Sequence, residues 1–220
     1  GNGNTVLDLL GLASIKYMTF ASTGVAAYTV GTGGTNSQTL TLEKNIGRIL
    51  LAGDAANSQI FNAVVRLGSD AATGDYTFQN DSTAHTLAFA GDVAGAASGG
   101  TPGTKTLNVY GAGDMLINGS ISDGGANPVK LSSYSTGALV LAGVNSYNGD
   151  TELYDSGSLI LKHPKAMGGA GSVLIRSVAP GAVVELAHDG AGETPFKIGM
   201  GIGFAGTIIS GVGTGSVGIN

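Results

Sequence analysis

The sequence lacks cysteine and tryptophan entirely, and charged residues are scarce. Asp, Glu, Lys and Arg together make up 11% of the 220 residues, against roughly a quarter in an ordinary soluble domain. The absence of cysteine excludes a disulfide framework and a thiolate zinc site. A net charge of only -5 with 42% hydrophobic residues argues against disorder driven by charge. A pI near 4.9 argues against a basic nucleic-acid-binding surface.

Patterns of helices and of membrane spans are missing as well. The most apolar stretch, 196–209, contains Lys197 and four glycines and is too short to cross a bilayer as a helix. A helical repeat can be argued only for 6–20, where Gly11 and a β-branched start make two short strands fit at least as well. The opening residues 1–4 have neither a basic region nor an apolar run, so we expect a mature or excised chain.

Glycine, in contrast, is abundant, with 39 residues. These glycines follow no three-residue period, which excludes collagen. Between turn clusters such as 31–34 and 99–103, short segments alternate apolar and polar residues, a pattern typical of strands of roughly 4–8 residues. The sequence therefore predicts an all-β chain, with strands expected at 39–42, 46–51, 59–67, 76–78, 86–90 and 106–109.

Short strand sequences recur along the chain at nearly constant spacing. Residues 137–141 (Gly-Ala-Leu-Val-Leu) return as 157–161, twenty residues later, and as 181–186 after twenty-four more. Upstream, we align 86–92 with 106–111, and the strand 28–30 with 76–78. A strand pattern that returns at such a period is the signature of a repeat fold.

These repeats predict a β-solenoid in which each period forms one coil. Equivalent strands then stack in parallel, apolar residues alternate inward, and glycines occupy the bends. We expect residues 1–220 to form a single solenoid domain of about ten coils of 20–24 residues, a rod roughly 50 Å long at a strand spacing of ~4.8 Å. A β-sandwich or jelly roll also has many short strands, but it gives no reason for a fixed period.

A more specific pattern lies in the segment 137–190. It has the form Gly-x-Leu-x-Leu-x-Gly-x-Asn-x-Tyr-x-Gly-x-Thr, followed by a second Gly-x-Leu strand and a glycine-rich turn. The residues are Gly137, Leu139, Leu141, Gly143, Asn145, Tyr147, Gly149, Thr151, Gly157, Leu159, Leu161, Ala166, Met167 and Gly168. This segment resembles the autotransporter-associated β-strand repeat of large bacterial surface proteins. Met167 stands in place of the usual Leu and Asp150 in place of a common Gly, and 117–125 resembles the usual lead-in.

The resemblance implies a right-handed parallel β-helix in a secreted or surface-displayed bacterial protein. It does not imply an enzyme, because the family is functionally mixed. The membrane barrel that defines an autotransporter is not part of this sequence, so the secretion route stays open. We therefore expect an extracellular or cell-surface location.

One stretch, Gly201-Ile-Gly203-Phe-Ala-Gly206, matches the dinucleotide-binding fingerprint in letters. That fingerprint requires a helix after it, and an acidic residue about twenty positions on. Here 207–211 favours a strand, and no Asp or Glu follows Glu193. We interpret these residues as turn glycines and predict no cofactor.

The enzyme alternative is a polysaccharide lyase or hydrolase, because β-helices host such enzymes, an analogy from fold only. These enzymes need carboxylates side by side on one solvent-facing ladder. The acids of this chain fall mostly in predicted turns, and the two expected within strands, Glu152 and Glu185, do not repeat at the coil period. We therefore predict no catalytic residue among the acids Asp70, Asp75, Asp114, Asp123, Asp150, Glu152, Asp155, Glu185 and Asp189.

Metal binding and glycosylation have weak sequence support. The histidines His85, His163 and His188 are scattered, and a calcium site formed by Asp70, Asp75 and Asp81 competes with a simpler interpretation as solvated turn acids. We predict no metal site. Two segments, 80–82 and 118–120, fit the N-glycosylation pattern, which matters only in a eukaryotic secretory pathway.

Assembly is the function that the pattern favours. A solenoid has two open ends, each an unpaired strand edge that templates pairing unless it is covered. Residues 1–30 are the candidate cap or inter-subunit segment, and 208–220 run on in the repeat style. We expect either a piece of a longer passenger or a head-to-tail filament, with end contacts through Val6, Leu7, Leu9, Leu10, Leu12, Ile208, Ile209, Val217 and Ile219.

The primary prediction is therefore a non-catalytic extracellular structural protein, a surface stalk or a filament of identical subunits. The alternative is an adhesin that binds glycan or a host or matrix surface through its flank. An adhesin of this kind should show exposed aromatic rows on one face. From spacing alone, the seven tyrosines (17, 28, 76, 110, 134, 147 and 154) are not expected to share one coil position, which argues against it.

Overall fold

The computed structural model describes residues 5–10, 14–70, 72–96, 101–124, 128–168, 174–177, 181–187, 197–200, 207–210 and 218–219. Within these residues the regular secondary structure consists of twenty-two β-strands, and none of it is helical. The all-β prediction is confirmed, and so are two short strands within 5–20.

The strands form three parallel sheets. Sheet I contains, in spatial order, β1 (Thr5–Leu7), β3 (Tyr28–Val30), β6 (Gln59–Phe61), β9 (Leu87–Phe89), β12 (Met115–Ile117), β15 (Ala138–Leu141), β17 (Ser158–Leu161), β19 (Val183–Leu186) and β21 (Thr207–Ser210). Sheet II contains β4 (Thr39–Leu42), β7 (Val64–Leu67), β10 (Val93–Gly95) and β13 (Ile121–Ser122). Sheet III contains β2 (Tyr17–Phe20), β5 (Arg48–Leu51), β8 (Gly74–Asn80), β11 (Lys105–Gly111), β14 (Val129–Ser135), β16 (Thr151–Leu153), β18 (Leu174–Ser177), β20 (Lys197–Met200) and β22 (Gly218–Ile219).

The order of the sheets along the chain is that of a solenoid. The chain passes from sheet I to sheet II to sheet III and returns to sheet I, where each new strand pairs in parallel with the one before it. Sheets I and III each have nine strands, compared with the roughly ten coils expected. The prediction of a parallel β-solenoid is confirmed.

Coil length changes along the rod. In sheet III, Tyr17 pairs with Arg48 and Arg48 with Thr77, steps of 31 and 29 residues. Further on, Asn108 pairs with Ser132 and Ser132 with Glu152, steps of 24 and 20. The expected 20–24 residues therefore hold for the later coils only. The physical reason is that sheet II ends at β13, so the later coils have two strands instead of three.

The Gly-x-Leu-x-Leu repeats stack as predicted, with one correction of register. Leu139 pairs with Leu159, and the spacing of twenty residues is confirmed. The next step is twenty-five residues instead of twenty-four, because Leu159 pairs with Val184. Alignment of the glycines would turn Glu185 inward, whereas the actual register buries Val184 and Leu186. Since side chains alternate between faces, a slip of one residue exchanges the two faces, and burial of apolar residues decides the register.

Two upstream alignments are wrong. The strand β9 (87–89) lies in sheet I and β11 (105–111) in sheet III, so they are not equivalent. The same holds for β3 and β8, which contain 28–30 and 76–78. Short alternating strands of all three sheets have similar sequences, and the similarity did not distinguish one wall of a coil from the next.

The interior is a continuous apolar ladder. Along β11 the exposure alternates residue by residue, so that Leu107 and Val109 are fully buried. Phenylalanines of successive coils stack inside the first half, with ring centroids 5.0 Å apart for Phe61 and Phe89 and 4.1 Å for Phe78 and Phe89. Offset-stacked rings at such distances add to the stabilisation from burial.

The repeat glycines are explained by close contact between coils. A Cβ atom at Gly157 would overlap the carbonyl oxygens of Ser135 and Gly137 in the preceding coil, and one at Gly137 would overlap the carbonyl oxygens of Ala112 and Gly113. At these corners the chain passes directly over the backbone of the coil below. Glycine is the residue that permits this approach.

We expect Gly157→Ala to lower the free energy of unfolding by about 1–3 kcal/mol, because the added methyl group forces two backbone segments apart. The matched control is Gly24→Ala, since the atom nearest to a Cβ there is Ser22 Oγ at 3.9 Å. Chemical denaturation of both variants measures the effect. Equal stability of the two variants would show that the corner relaxes without cost.

Candidate interaction surfaces

The outward face of sheet III carries a row of tyrosines. In β11 and β14, Tyr110 pairs directly with Tyr134, and Tyr154 follows β16 at the next equivalent position, since Ser133 pairs with Leu153. The ring centroids of Tyr110 and Tyr134 lie 4.9 Å apart with planes 10° apart, and those of Tyr134 and Tyr154 lie 4.5 Å apart with planes 5° apart. We call these three residues the tyrosine row.

The tyrosine row corrects the expectation that the tyrosines do not share one coil position. Tyr110 and Tyr154 are each 36% exposed, and Tyr134 between them is partly buried. The spacings along the chain are 24 and 20 residues, so a fixed period does not reveal the row. The exposed aromatic row expected of an adhesin is therefore present.

A glutamate beside the row is bound by two neighbours. The Tyr154 hydroxyl donates a hydrogen bond to Glu152 Oε2, and Lys130 Nζ lies 2.6 Å from the same oxygen. Glu152 is almost fully buried, although it lies on the outward side of the strand. In the next coil Arg176 pairs with Glu152 in the sheet register. Two groups on this face, a phenol and an ammonium, thus converge on one carboxylate oxygen.

This arrangement perturbs the phenols. The hydrogen bond to Glu152, followed by burial and by the charge of Glu152, raises the pKa of Tyr154 to about 12. Burial, with smaller contributions from Tyr134 and Asp75, raises the pKa of Tyr110. The Tyr154 phenol is therefore neutral at physiological pH and is held in one orientation by an acceptor.

We expect Glu152→Gln to move the pKa of Tyr154 from about 12 towards its ordinary value of 10.0, because the carboxylate that favours the neutral phenol is gone. In the unmodified protein this contribution to stability is complete below pH 10 and is lost as pH rises towards 12. The phenolate absorbance, compared with that of Tyr154→Phe, identifies the transition. Glu185→Gln, on sheet I, is the control and should leave it in place. An unchanged Tyr154 transition in Glu152→Gln would contradict the assignment.

A second cluster of charged residues lies inside the rod. Lys105 is 0% exposed, and its Nζ donates a hydrogen bond to the carbonyl oxygen of Ala72 and another, 3.4 Å long, to the Tyr76 hydroxyl. Asp70 Oδ1 lies 3.8 Å from the same nitrogen. Burial lowers the pKa of Lys105, while Asp70 opposes that shift. Burial, followed by the charges of Asp70 and Asp75, raises the pKa of Tyr76 to about 12.

The cluster accounts for one of the three aspartates considered for calcium. Asp70 serves as the counter-ion of Lys105 and accepts a hydrogen bond from the amide of Ala72. Asp81 accepts two hydrogen bonds from the Gln79 side chain. Asp75 lies within β8 and is the exception to the expectation that the acids outside Glu152 and Glu185 fall in turns. Within the described ranges, no group of three or more His, Cys, Asp or Glu residues is placed to hold a metal ion.

The motif that carries the family resemblance is a structural corner. Asn145 is buried, its Oδ1 accepts a hydrogen bond of 2.7 Å from the amide of Ile121 in the preceding coil, and its Nδ2 donates to the carbonyl oxygen of Ala166 in the following one. Tyr147 is fully buried with its hydroxyl 2.7 Å from Thr151 Oγ1. One asparagine side chain thus makes the contacts between coils that a strand of sheet II makes earlier in the rod.

The other candidate residues are not brought together. His85 is exposed, and His163 Nδ1 accepts a hydrogen bond from the amide of Lys165; His188 lies outside the described residues. Asn80 is fully buried and its amide donates to the carbonyl oxygens of His85 and Asp114, whereas Asn118 is exposed. The glycines of the dinucleotide fingerprint also lie outside the described residues, but the segment after them is confirmed as a strand, β21.

The candidate end contacts differ in their exposure. Val6 is 53% and Leu10 is 82% exposed, so both are left in water, while Leu9 is buried and Leu7 packs partly against the core. The segment 1–30 provides the first strands of sheets I and III instead of a separate cap. The remaining positions are Ile208 and Ile209 in β21, Ile219 in β22, and Leu12 and Val217, which lie outside the described residues.

Sheet I presents a different outward surface. Its central column is apolar over five successive coils, where Glu185 follows in the next coil; the column consists of Ile60, Ala88, Leu116, Val140 and Ile160. Ile60 is exposed and the other four are partly exposed. The two long sheets therefore offer contrasting faces, one aliphatic and one with aromatic edges among polar groups.

Comparison with known proteins gives no relative. No protein-family profile, no curated protein and no solved structure matches the chain. Among the described residues there is no helix that is long and apolar enough to span a membrane.

Proposed function

We propose that this chain is a non-catalytic structural protein of the bacterial cell surface, a β-solenoid that forms part of a stalk or assembles into a filament. The observation that carries the proposal is the continuous register of sheets I and III, each with nine parallel strands. An extracellular location agrees with the absence of cysteine and with the motif resemblance of 137–190.

The use of the polar interior residues supports a structural role. Lys105, Asn145 and Tyr147 belong to residue types that often perform chemistry, yet each is buried here and bonded to backbone or side-chain groups of the rod. Buried polar groups that are fully bonded rigidify a core. Their donors and acceptors are used to hold one coil to the next or to close a corner.

The edge strands of the described rod favour further stacking. Strands β1 and β2 are the outermost strands of their sheets, and Val6, Leu10 and Tyr17 beside them are exposed. An edge strand presents unpaired backbone groups that template pairing with another strand. A second copy that stacks head to tail covers this edge, and such a contact continues without closing on itself.

We expect the purified chain to form regular fibres in negative-stain images. Val6→Lys, at the exposed edge of β1, should abolish them, because a charge on an edge strand opposes pairing. Ser158→Lys introduces the same charge on an outward position of β17, in the middle of sheet I, and should leave them intact. Monodisperse rods of about nine strand spacings, ~43 Å, at every concentration would refute self-assembly.

Adhesion is the second candidate, favoured by the tyrosine row. Tyrosine supplies a large amphipathic contact area at little conformational cost, and stacking holds these three side chains in place before any ligand binds. The rings face one another, so the row presents ring edges and hydroxyl groups to a partner. The charged neighbours Lys130 and Glu152 are paired, which favours a neutral, hydroxyl-rich ligand such as a surface glycan.

We expect the chain to bind an immobilised panel of neutral polysaccharides, and Tyr134→Ala to weaken that binding about tenfold, the equivalent of roughly 1.4 kcal/mol. Tyr17→Ala is the matched control, because Tyr17 is 64% exposed on sheet III but lies outside the row. Equal binding by both variants, or no binding by the unmodified chain, would remove the adhesion candidate.

A further inference from the structure

The geometry of the tyrosine row has a chemical consequence beyond assembly and adhesion. Among the described residues, the tyrosine rings that stack on one another are those of the row, and the closest pair is Tyr134 and Tyr154 at 4.5 Å and 5°. Because the rings are nearly parallel and occupy equivalent positions in adjacent coils, the carbons ortho to the two hydroxyl groups lie close to one another. These are the carbons that couple when two phenoxyl radicals meet.

The same pair has a proton acceptor in place. A phenol that loses an electron becomes a strong acid, so its oxidation is easier when a base accepts the proton at once. Tyr154 already donates its hydroxyl hydrogen to Glu152 Oε2. Tyr154 is also 36% exposed, so an oxidant reaches the ring from solvent. Accessible surface and an internal base thus occur at one residue.

We propose that Tyr134 and Tyr154 are a site of oxidative cross-linking, at which a one-electron oxidant of the peroxidase and peroxide class joins the two rings. Each phenol gives one electron to the oxidant and one proton to a base, Glu152 for Tyr154 and water for Tyr134. The two phenoxyl radicals form one carbon–carbon bond between ortho carbons. The hydrogens on those carbons return to the oxygens through solvent, which restores both phenols. The protein loses two hydrogen atoms, and one hydrogen peroxide is reduced to two waters.

Intramolecular coupling is favoured by preorganisation. The strands β14 and β16 hold the two rings in contact, so the second phenol is present at an effective concentration far above that of another chain in dilute solution. The product is a covalent tie between adjacent coils of the rod. It depends on the register of sheet III and is independent of whether the chain forms filaments.

The experiment treats the dilute full chain with horseradish peroxidase and hydrogen peroxide. We expect dityrosine fluorescence in the monomer fraction, an intact mass lower by two hydrogen atoms, and a cross-linked peptide that joins Tyr134 to Tyr154. Tyr134→Phe should lose the monomer product, because the middle ring of the row no longer forms a phenoxyl radical. Phenylalanine preserves ring stacking, and circular dichroism confirms that the variant is folded.

Two further variants separate this pair from the alternatives. Tyr110→Phe should retain most of the monomer product, whereas Tyr154→Phe should lose most of it. Glu152→Gln should slow product formation several-fold at neutral pH. The proposal is overturned if Tyr134→Phe gives the unmodified yield, if the cross-links join separate chains, or if they map to Tyr17, which is 64% exposed and belongs to no stack.

Discussion

Parallel strands about 4.8 Å apart place each side chain against its counterpart in the coils above and below. Inside the rod this constraint stacks Phe61 on Phe89 and Leu139 on Leu159. Outside, it stacks Tyr110 on Tyr134. Like charges at equivalent positions would repel, which agrees with a chain that has 11% charged residues. Where a charge does enter the outward face, as at Glu152, an opposite charge from the preceding coil, Lys130, meets it.

The loss of the third wall follows from the same geometry. A coil that omits its strand of sheet II must still satisfy the backbone groups that the strand would have bonded. Asn145 does this with one side chain that accepts from the coil before and donates to the coil after. The buried Tyr147 fills the adjacent corner, and Gly149 permits close passage over the carbonyl oxygen of Val129. The asparagine, tyrosine and glycine of the motif are thus requirements of a shorter coil.

The fold was predictable from sequence because apolar alternation at a recurring spacing leaves few alternatives, and the stacking of 137–141 on 157–161 is as predicted. The register after 161 was one residue off because glycines were aligned instead of buried side chains. Pairings such as 86–92 with 106–111 failed because strands of different walls look alike. The tyrosine row was missed because its steps, 24 and 20 residues, follow the changing coil length. The signal was present, since Tyr134 and Tyr154 share the spacing of Leu139 and Leu159.

The tyrosine row shows why structure and chemistry cannot be assigned to separate parts of this rod. Tyrosine side chains at unrelated surface positions would titrate and oxidise independently. Here the register that builds the core places Tyr134 against Tyr154, and the alternation of the strand places Glu152 two residues before Tyr154 on the same face. A slip of one residue would turn both Glu152 and Tyr154 inward. The properties of the outer surface are therefore set by the packing of the apolar residues on the other side of the same strands.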